Sequence, residues 1–250
     1  MKKILGCVRR ADDDFDMIQP GDRLAVGVSG GKDSLALVKA LSLYRYFSHK
    51  DFTLEAILLT LGFEPFDTSG VEAFCREIGV PLTVKKTDIG PIIFTERKEK
   101  NPCALCAKMR RGALNELAAA HGCNKLALGH HRDDVIETLL MSLFFEGRLH
   151  TFHPVTHLSR SGITVIRPLV YAPEKDIIHL QRTQGLPVVK NPCPADGHTA
   201  RQEVKELLAE LTPRYPFVRE RLLSALRNKE QYGLWDKKSS GSLHEEPQDA

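Results

Sequence analysis

The sequence has no apolar run approaching the about 18–20 residues that spanning a bilayer takes, which excludes a helical membrane protein. Its N-terminus, MKKILGCVRRADDDFD, carries two lysines but no sustained apolar stretch, and acids follow at once. That is not the build of a secretory signal, so a cytoplasmic protein with no membrane partner is expected. Charge of one sign is also scarce. A net charge of +3 does not by itself demand a nucleic acid. Basic residues do gather at 9–10, 97–100, 108–111 and 214–227. Taken singly, each group reads as a solvated face; several converging on one groove would make an RNA track. There is no internal repeat. The six cysteines, in a cytoplasmic chain, favour metal or redox roles over disulfides.

What is present is an ordinary globular composition, 42% hydrophobic and 27% charged over 250 residues, enough for one domain with a proper core. Apolar runs of strand length at 22–29, 52–61, 81–88, 124–130 and 163–170 alternate with helical periodicity at 34–47, 69–79, 105–122, 133–147 and 173–185. Strands separated by helices of that length predict an α/β fold: a parallel five-stranded sheet with helices on both faces. The expected organisation is a basic and acidic N-terminal segment (1–18), an α/β domain (19–190), a turn-rich loop with C-terminal helices at 199–211 and 213–231 (191–235), and a polar, disordered tail (236–250).

The first strand runs straight into Ser29-Gly30-Gly31-Lys32-Asp33-Ser34, and a helix follows. Glycines let backbone N–H groups approach an anion, the helix start adds a favourable dipole, Lys32 adds charge and Ser34 a hydroxyl. This is not a Walker A loop: Val26 stands where the first glycine belongs, and Asp33 follows the lysine. Nor is it a dinucleotide fingerprint, because Ser29 interrupts the glycine spacing after Gly27. SGGKDS resembles the pyrophosphate loop of the PP-loop ATPases, which cleave ATP between the α- and β-phosphates. The anion is then the pyrophosphate part of ATP, and Asp33 is a candidate ligand for Mg²⁺ or a helix-start carboxylate.

In PCALCAKMRRG (102–112), Cys103 and Cys106 have the C-x-x-C spacing at a helix start. The dipole and the cations Lys108, Arg110 and Arg111 are expected to lower their pKa values. A second C-x-x-C is absent. The remaining cysteine outside strands and helices is Cys193, in NPCPADGH. Three thiolates suit an iron–sulfur cluster with one iron left open; three thiolates with His198 or Asp196 suit zinc. The spacings leave both open. Cys75 and Cys123 read as core residues, and Cys7 as exposed near a terminus.

The order SGGKDS, C-x-L-C-x-K-x-R-R-G, L-G-H-H-R-D-D, I-R-P-L, a late cysteine and RYP resembles the tRNA 2-thiocytidine synthetase family of PP-loop ATPases. The likeness runs from about residue 9 to residue 232, with FDMIQPGDRLAVGVSGGKDS and LALGHHRDDVIETLL its most specific blocks. It implies an adenine nucleotide alpha hydrolase-like fold. It also implies an ATP-dependent tRNA sulfurtransferase that adenylates the C2 oxygen of a cytidine at position 32 and replaces that oxygen with sulfur. By the family pattern a [4Fe–4S] cluster rests on Cys103, Cys106 and Cys193. A sulfur donor such as a cysteine desulfurase or sulfide, and a homodimer, are implied as well.

Such chemistry needs charge neutralisation at the α-phosphorus more than covalent help. The loop amides, Lys32, Mg²⁺ and Arg110 or Arg111 are the candidates. Arg110 follows Cys106 by four and shares its helix face. GHHRDD (129–134) closes the fourth strand, at the carboxyl edge where open sheets take ligands, so His130 is expected beside ATP. Asp133 and Asp134 are helix caps or metal ligands. His150, His153 and His157 fall in a loop. Phe94, Phe144, Phe145, Phe152 and Trp235 are the aromatics available for stacking on a base. Two other readings remain: another PP-loop tRNA modifier (a 2-thiouridine synthetase, or a lysidine-synthetase-like ligase with structural zinc), and a nucleotide-binding regulator without chemistry.

Overall fold

A computed structural model of the chain describes residues 1–63, 65–97, 102–190, 192–193 and 200–228. The tail 236–250, Trp235, Asp196, His198 and basic residues 98–100 lie outside the described residues. The elements in chain order are α1 (Lys2–Phe15), β1 (Arg23–Val28), α2 (Lys32–Phe47), β2 (Thr53–Thr60), α3 (Ser69–Glu77), β3 (Leu82–Lys86), a helical turn α4 (Ile89–Pro91) running into a π-helical turn (Ile92–Glu96), α5 (Pro102–Ala120), β4 (Lys125–Ala127), α6 (Arg132–Glu146), β5 (Val155–Leu158), β6 (Ile163–Ile166), α7 (Glu174–Gln184), α8 (Ala200–Arg214) and α9 (Val218–Arg227).

The sheet has six strands in the order β3-β2-β1-β4-β6-β5, not the five expected. The first five are mutually parallel; β5 pairs antiparallel with β6. The extra strand lies in the stretch read as a histidine loop. It is four half-exposed residues with no apolar run, and its hairpin closes at Gly162 in the left-handed region. His157 is therefore a strand residue, its Nδ1 3.2 Å from Thr164 Oγ1. The run read as 163–170 stops being strand at Ile166, just ahead of Arg167 and of Pro168, which has no N–H to donate to a ladder.

Side chains alternate across the sheet. Leu24, Val26 and Val28 of β1 join the core with α1, α2, α3 and α7, whereas Ala25 joins a smaller core under α5 with Ile57, Leu126 and Ile163. α2 is apolar on nearly all sides because it is buried between the sheet and α1 and α7. A third cluster, Ile136 and Leu140 against Val204 and Leu208, seats α8 on α6. No helix among the described residues is long and apolar enough to cross a membrane.

The N-terminal segment is an amphipathic helix, with Ile4, Val8 and Ala11 buried. Asp12 anchors it from the inside. Its carboxylate is 1% exposed and accepts from Ile18 N (2.9 Å), Tyr44 Oη (2.7 Å) and Lys50 Nζ (2.7 Å). Cys7, on the same helix, is half-buried rather than exposed, and burial raises its thiol pKa, with Asp176 adding to the rise and Arg10 and Arg132 opposing it. Hydrogen bonds to a charged group are worth about 1.5–3 kcal/mol each. Asp12→Asn is therefore expected to lower unfolding free energy by about 2–3 kcal/mol, read as a lower urea midpoint with little change in slope.

Candidate active site

Strand order reverses between β1 and β4, so the crevice outside their carboxyl ends is the place where such a sheet takes a ligand. Residues 29–34 leave β1 there. The loop is braced internally: Ser29 N donates to Ser34 Oγ (3.2 Å), Ser34 Oγ to Gly31 O (2.9 Å), and Gly31 N to Ser29 Oγ (3.3 Å). The two serines thus shape the loop. Gly30 has φ +80°, and a Cβ there would meet Val189 Cβ at 3.2 Å and Phe66 Cζ at 3.3 Å. Val189 N donates to Gly30 O at 3.0 Å, so the strap after α7 is bonded to the loop.

Gly129, just past β4, closes the other side. A Cβ on it would lie 3.0 Å from Ser34 N and 3.1 Å from Asp33 C. Backbone meets backbone here, and nothing larger than glycine fits unless the loop moves. Next to it, His131 caps α6: its Nδ1 accepts from Asp134 N, and Asp134 Oδ2 accepts from His131 N at 2.9 Å. Asp134 is thus a capping residue that also pairs with Arg201 (3.4 Å). Asp133 is buried and pairs with Arg219 at 2.6 Å.

Lys32 Nζ lies 3.1 Å from Asp33 Oδ2 and 3.1 Å from Glu174 Oε1; Lys205 Nζ reaches the same Glu174 oxygen at 2.8 Å. Burial alone would lower the pKa of Lys32, but Asp33 and Glu174 raise it, so its charge is secure. Burial alone would raise Glu174, yet the hydrogen bond from Lys205 and the charge of Lys32 hold its carboxyl down near about 2. Asp33 Oδ1 is buried without a hydrogen bond, 3.6 Å from His131 Nε2. An orphaned carboxylate oxygen beside a phosphate-type loop fits Mg²⁺, which takes one or two carboxylates and otherwise phosphate and water oxygens.

Cys103, Cys106 and Cys193 line one cavity of about 480 Å³ together with Lys32, Asp33 and Arg110. The three cysteines come from the start of α5 and from the strap beyond α7, brought together across the sheet edge. Cys106 does not have the lowered pKa expected of it. Burial raises it, the charge of Arg110 offsets part of that, and neighbouring Cys193 and Cys103 raise it further. Among the described residues no three His, Cys, Asp or Glu side chains converge on a single metal ion. A cubane cluster needs no such convergence, because each thiolate ligates its own iron. Three thiols lining one roomy cavity fit such a polynuclear group, and the alternative zinc ligands Asp196 and His198 lie outside the described residues.

Two further spaces adjoin. One of about 260 Å³ lies between Ser29, Gly31, Phe63, Phe66, Arg110 and Val189, apolar enough for a purine. Another, of about 240 Å³, is lined by Ser29, Asp33, Ser34, Gly129 and His130. Arg110 borders all three cavities; Arg111, the other expected cation, is exposed and lines none of them. Phe94 lines the three-cysteine cavity, whereas Phe152 packs tilted against His130 with ring centroids 4.9 Å apart, and Phe144 and Phe145 are exposed late on α6, away from all three spaces. Periodicity and motif reading passed over Glu137, Glu174, Arg201 and Lys205; GHHRDDVIET read as cap and helix, and no spacing signals pairs 31 (Glu174–Lys205) or 64 (Glu137–Arg201) residues apart.

The profile of the PP-loop domain family matches residues 7–211. A tRNA-cytidine(32) 2-sulfurtransferase of Pelobacter propionicus is 41% identical over 243 residues, covering 96% of this chain and 90% of the relative. The chain belongs to that family. The protein of the same name from Citrifermentans bemidjiense is 42% identical over 238 residues, covering 94% of this chain and 93% of its own length. Among solved structures, the U34-tRNA thiolase NcsA from Methanococcus maripaludis with its [4Fe-4S] cluster superposes with TM-score 0.73 at 28% identity, over 92% of this chain and 79% of that one. The family likeness read from the motifs is thus established over nearly the whole chain.

Two outcomes are expected. Gly129→Ala must push the 29–34 loop aside, so ATP affinity should fall at least about tenfold, the order of a single lost hydrogen-bonding interaction with a charged group, in equilibrium binding, with the fold retained. His130, desolvated and near Arg167, is held down to about 4, Asp134 opposing only in part. Its unfolded counterpart titrates near 6.5, so the neutral imidazole's full stability is present above that and is lost progressively as pH falls towards 4. His130→Gln should flatten this part of the pH–stability curve measured by urea unfolding.

Proposed function

We propose that this protein is an ATP-dependent tRNA sulfurtransferase that converts a cytidine at position 32 to 2-thiocytidine in the cytoplasm. The observation that carries the reading is the single cavity shared by the Lys32 end of the phosphate loop and all three cysteines. Nucleotide activation and sulfur delivery need adjacent sites, and one cavity serves both.

A ring carbonyl oxygen is a poor leaving group. The C2 oxygen of the base attacks the α-phosphorus, the α–β bridging bond breaks, and pyrophosphate leaves. Positioning and charge neutralisation dominate such a displacement. The loop at the start of α2 offers backbone amides and the helix dipole to the phosphates, with Lys32 and Arg110 supplying positive charge. Asp33 offers an oxygen to Mg²⁺. The purine lies between Phe66 and Val189. AMP then departs from C2 as sulfur enters.

Cys103, Cys106 and Cys193 would hold the [4Fe–4S] cluster, which supplies an open iron able to keep a hydrosulfide deprotonated and close. Arg110, one helical turn beyond Cys106, keeps a cation between that corner and the nucleotide. The sulfur source, sulfide or a persulfide donated by a cysteine desulfurase, is used from outside the chain, and the family pattern implies a homodimer. Cys75 and Cys123 are buried, and burial pushes their thiols up to about 11 and about 12, in the case of Cys123 together with Glu55, which disfavours the thiolate that a persulfide carrier uses.

Protein purified without oxygen should contain about four irons and matching sulfide per chain; about one zinc and no sulfide would overturn the reading in favour of a ligase with structural zinc. Cys193→Ala should abolish 2-thiocytidine formation, measured by nucleoside analysis, while ATP binding survives. Full activity in that variant would remove the three-cysteine site.

A further inference from the structure

One carboxylate oxygen of Glu137 is buried without a donor. The residue lies in the second turn of α6 on the face it shares with Asp134, and it is 3% exposed. Its Oε2 accepts from Arg201 at 3.3 Å, but its Oε1 makes no hydrogen bond. It sits on the wall of the cavity that also holds Lys32 and the three cysteines. Arg201 keeps two other acceptors, Asp134 at 3.4 Å and Thr138 at 3.2 Å. Lys205, the neighbouring cation, is committed to Glu174. Neither is placed to satisfy the orphaned oxygen.

An unpaired buried acceptor costs about 1–3 kcal/mol, and in a native protein it calls for a partner supplied from elsewhere. The partner must enter the cavity and must donate. Of the groups that the proposed reaction brings there, the exocyclic amine of cytosine is the donor that suits a carboxylate; acceptance from the C4 amine by Glu or Asp is the standard readout of this base. We infer that Glu137 reads the cytosine amine and makes the enzyme prefer cytidine to uridine. The inference rests on the function proposed above.

The chemistry supports both recognition and turnover. The amine and the C2 oxygen flank N3 on one edge of the ring and point in diverging directions, so an amine bonded to Glu137 leaves the C2 oxygen free to face the phosphate loop on the same cavity. Uridine presents a carbonyl oxygen where cytidine has its amine. That would set two acceptors against each other and leave the carboxylate unpaired. When the C2 oxygen bonds to α-phosphorus and pyrophosphate leaves, the cytosine ring gains positive charge, shared with the C4 amine. A carboxylate held at that amine is then stronger in the transition state than in the ground state. Burial and Asp134 push the Glu137 carboxyl pKa upward, against the opposing charges of Arg201 and Lys205. A donor bonded to Oε1 would favour the ionised form.

The test uses full-length tRNA transcripts that differ only at position 32: cytidine, uridine, or zebularine, which is cytidine without the amine. Binding to the cluster-loaded protein is measured with a non-hydrolysable ATP analogue, and thionucleoside formation is measured alongside. Wild type should bind cytidine-32 about tenfold or more tighter than the other two, within the about 5–150-fold range of one good base contact. Glu137→Gln, whose amide donates to a carbonyl, should bring cytidine and uridine to within about threefold, with ATP affinity and cluster absorbance unchanged. Equal binding of cytidine and zebularine by wild type would overturn the inference whether or not the variant folds. So would a uniform loss on all three transcripts in Glu137→Gln. Absence of any 2-thiocytidine with wild type and cytidine-32 would instead overturn the underlying function, a result distinct from thiolation without discrimination.

Discussion

Two backbone segments that touch at the carboxyl edge of the sheet govern the rest of the site. Gly129, at the end of β4, lies against Ser34 and Asp33 at the start of α2. Because the sheet order reverses between β1 and β4, their ends splay and leave a crevice; the glycine lets the walls of that crevice meet at its base. Every functional element is hung from this contact. The phosphate loop leaves β1 beside it, the His131 cap of α6 begins two residues beyond it, and Arg110 and Leu114 of α5 line the space above the loop that Gly129 and Ser34 also line.

Charge in the crevice is balanced within the protein. Lys32 and Lys205 share Glu174, Arg201 spans Asp134 and Glu137, and Arg219 meets Asp133. These contacts join α7, α8 and α9 to α2 and α6. The helices after the last parallel strand are therefore packed by ion pairs around the site as much as by the apolar contact of Val204 and Leu208 with α6. The positive groups are fixed by carboxylates before any phosphate arrives, which removes the reorganisation that electrostatic stabilisation would otherwise cost.

Much of this was legible from residues alone. The apolar runs of β1, β2 and β4 stand out because parallel strands are buried on both faces, and SGGKDS, C-x-x-C and the late cysteine, which the fold brings to one crevice, stand out by residue type. The N-terminal helix was read only as a charged segment, because its buried stripe is thin: Ile4, Val8 and Ala11 among basic and acidic residues. Strand β5 escaped because its four half-exposed residues carry no apolar run, and its pairing depends on β6. The cysteines' expected acidity failed for Cys106 because desolvation outweighs a nearby guanidinium, a balance that only three dimensions decide. Glu137, Glu174 and Lys205 were invisible as site residues for the same reason: each looks like an ordinary charge on a helix until its partner is known.

The hydrogen bond from Val189 to Gly30 has a mechanical consequence. Cys193 follows Val189 by four residues, and four residues of extended chain reach at most about 14 Å. The late cysteine is on a short tether whose fixed end is the phosphate loop itself. The late cysteine and the 29–34 loop, far apart in sequence, are thus kept within that reach of each other.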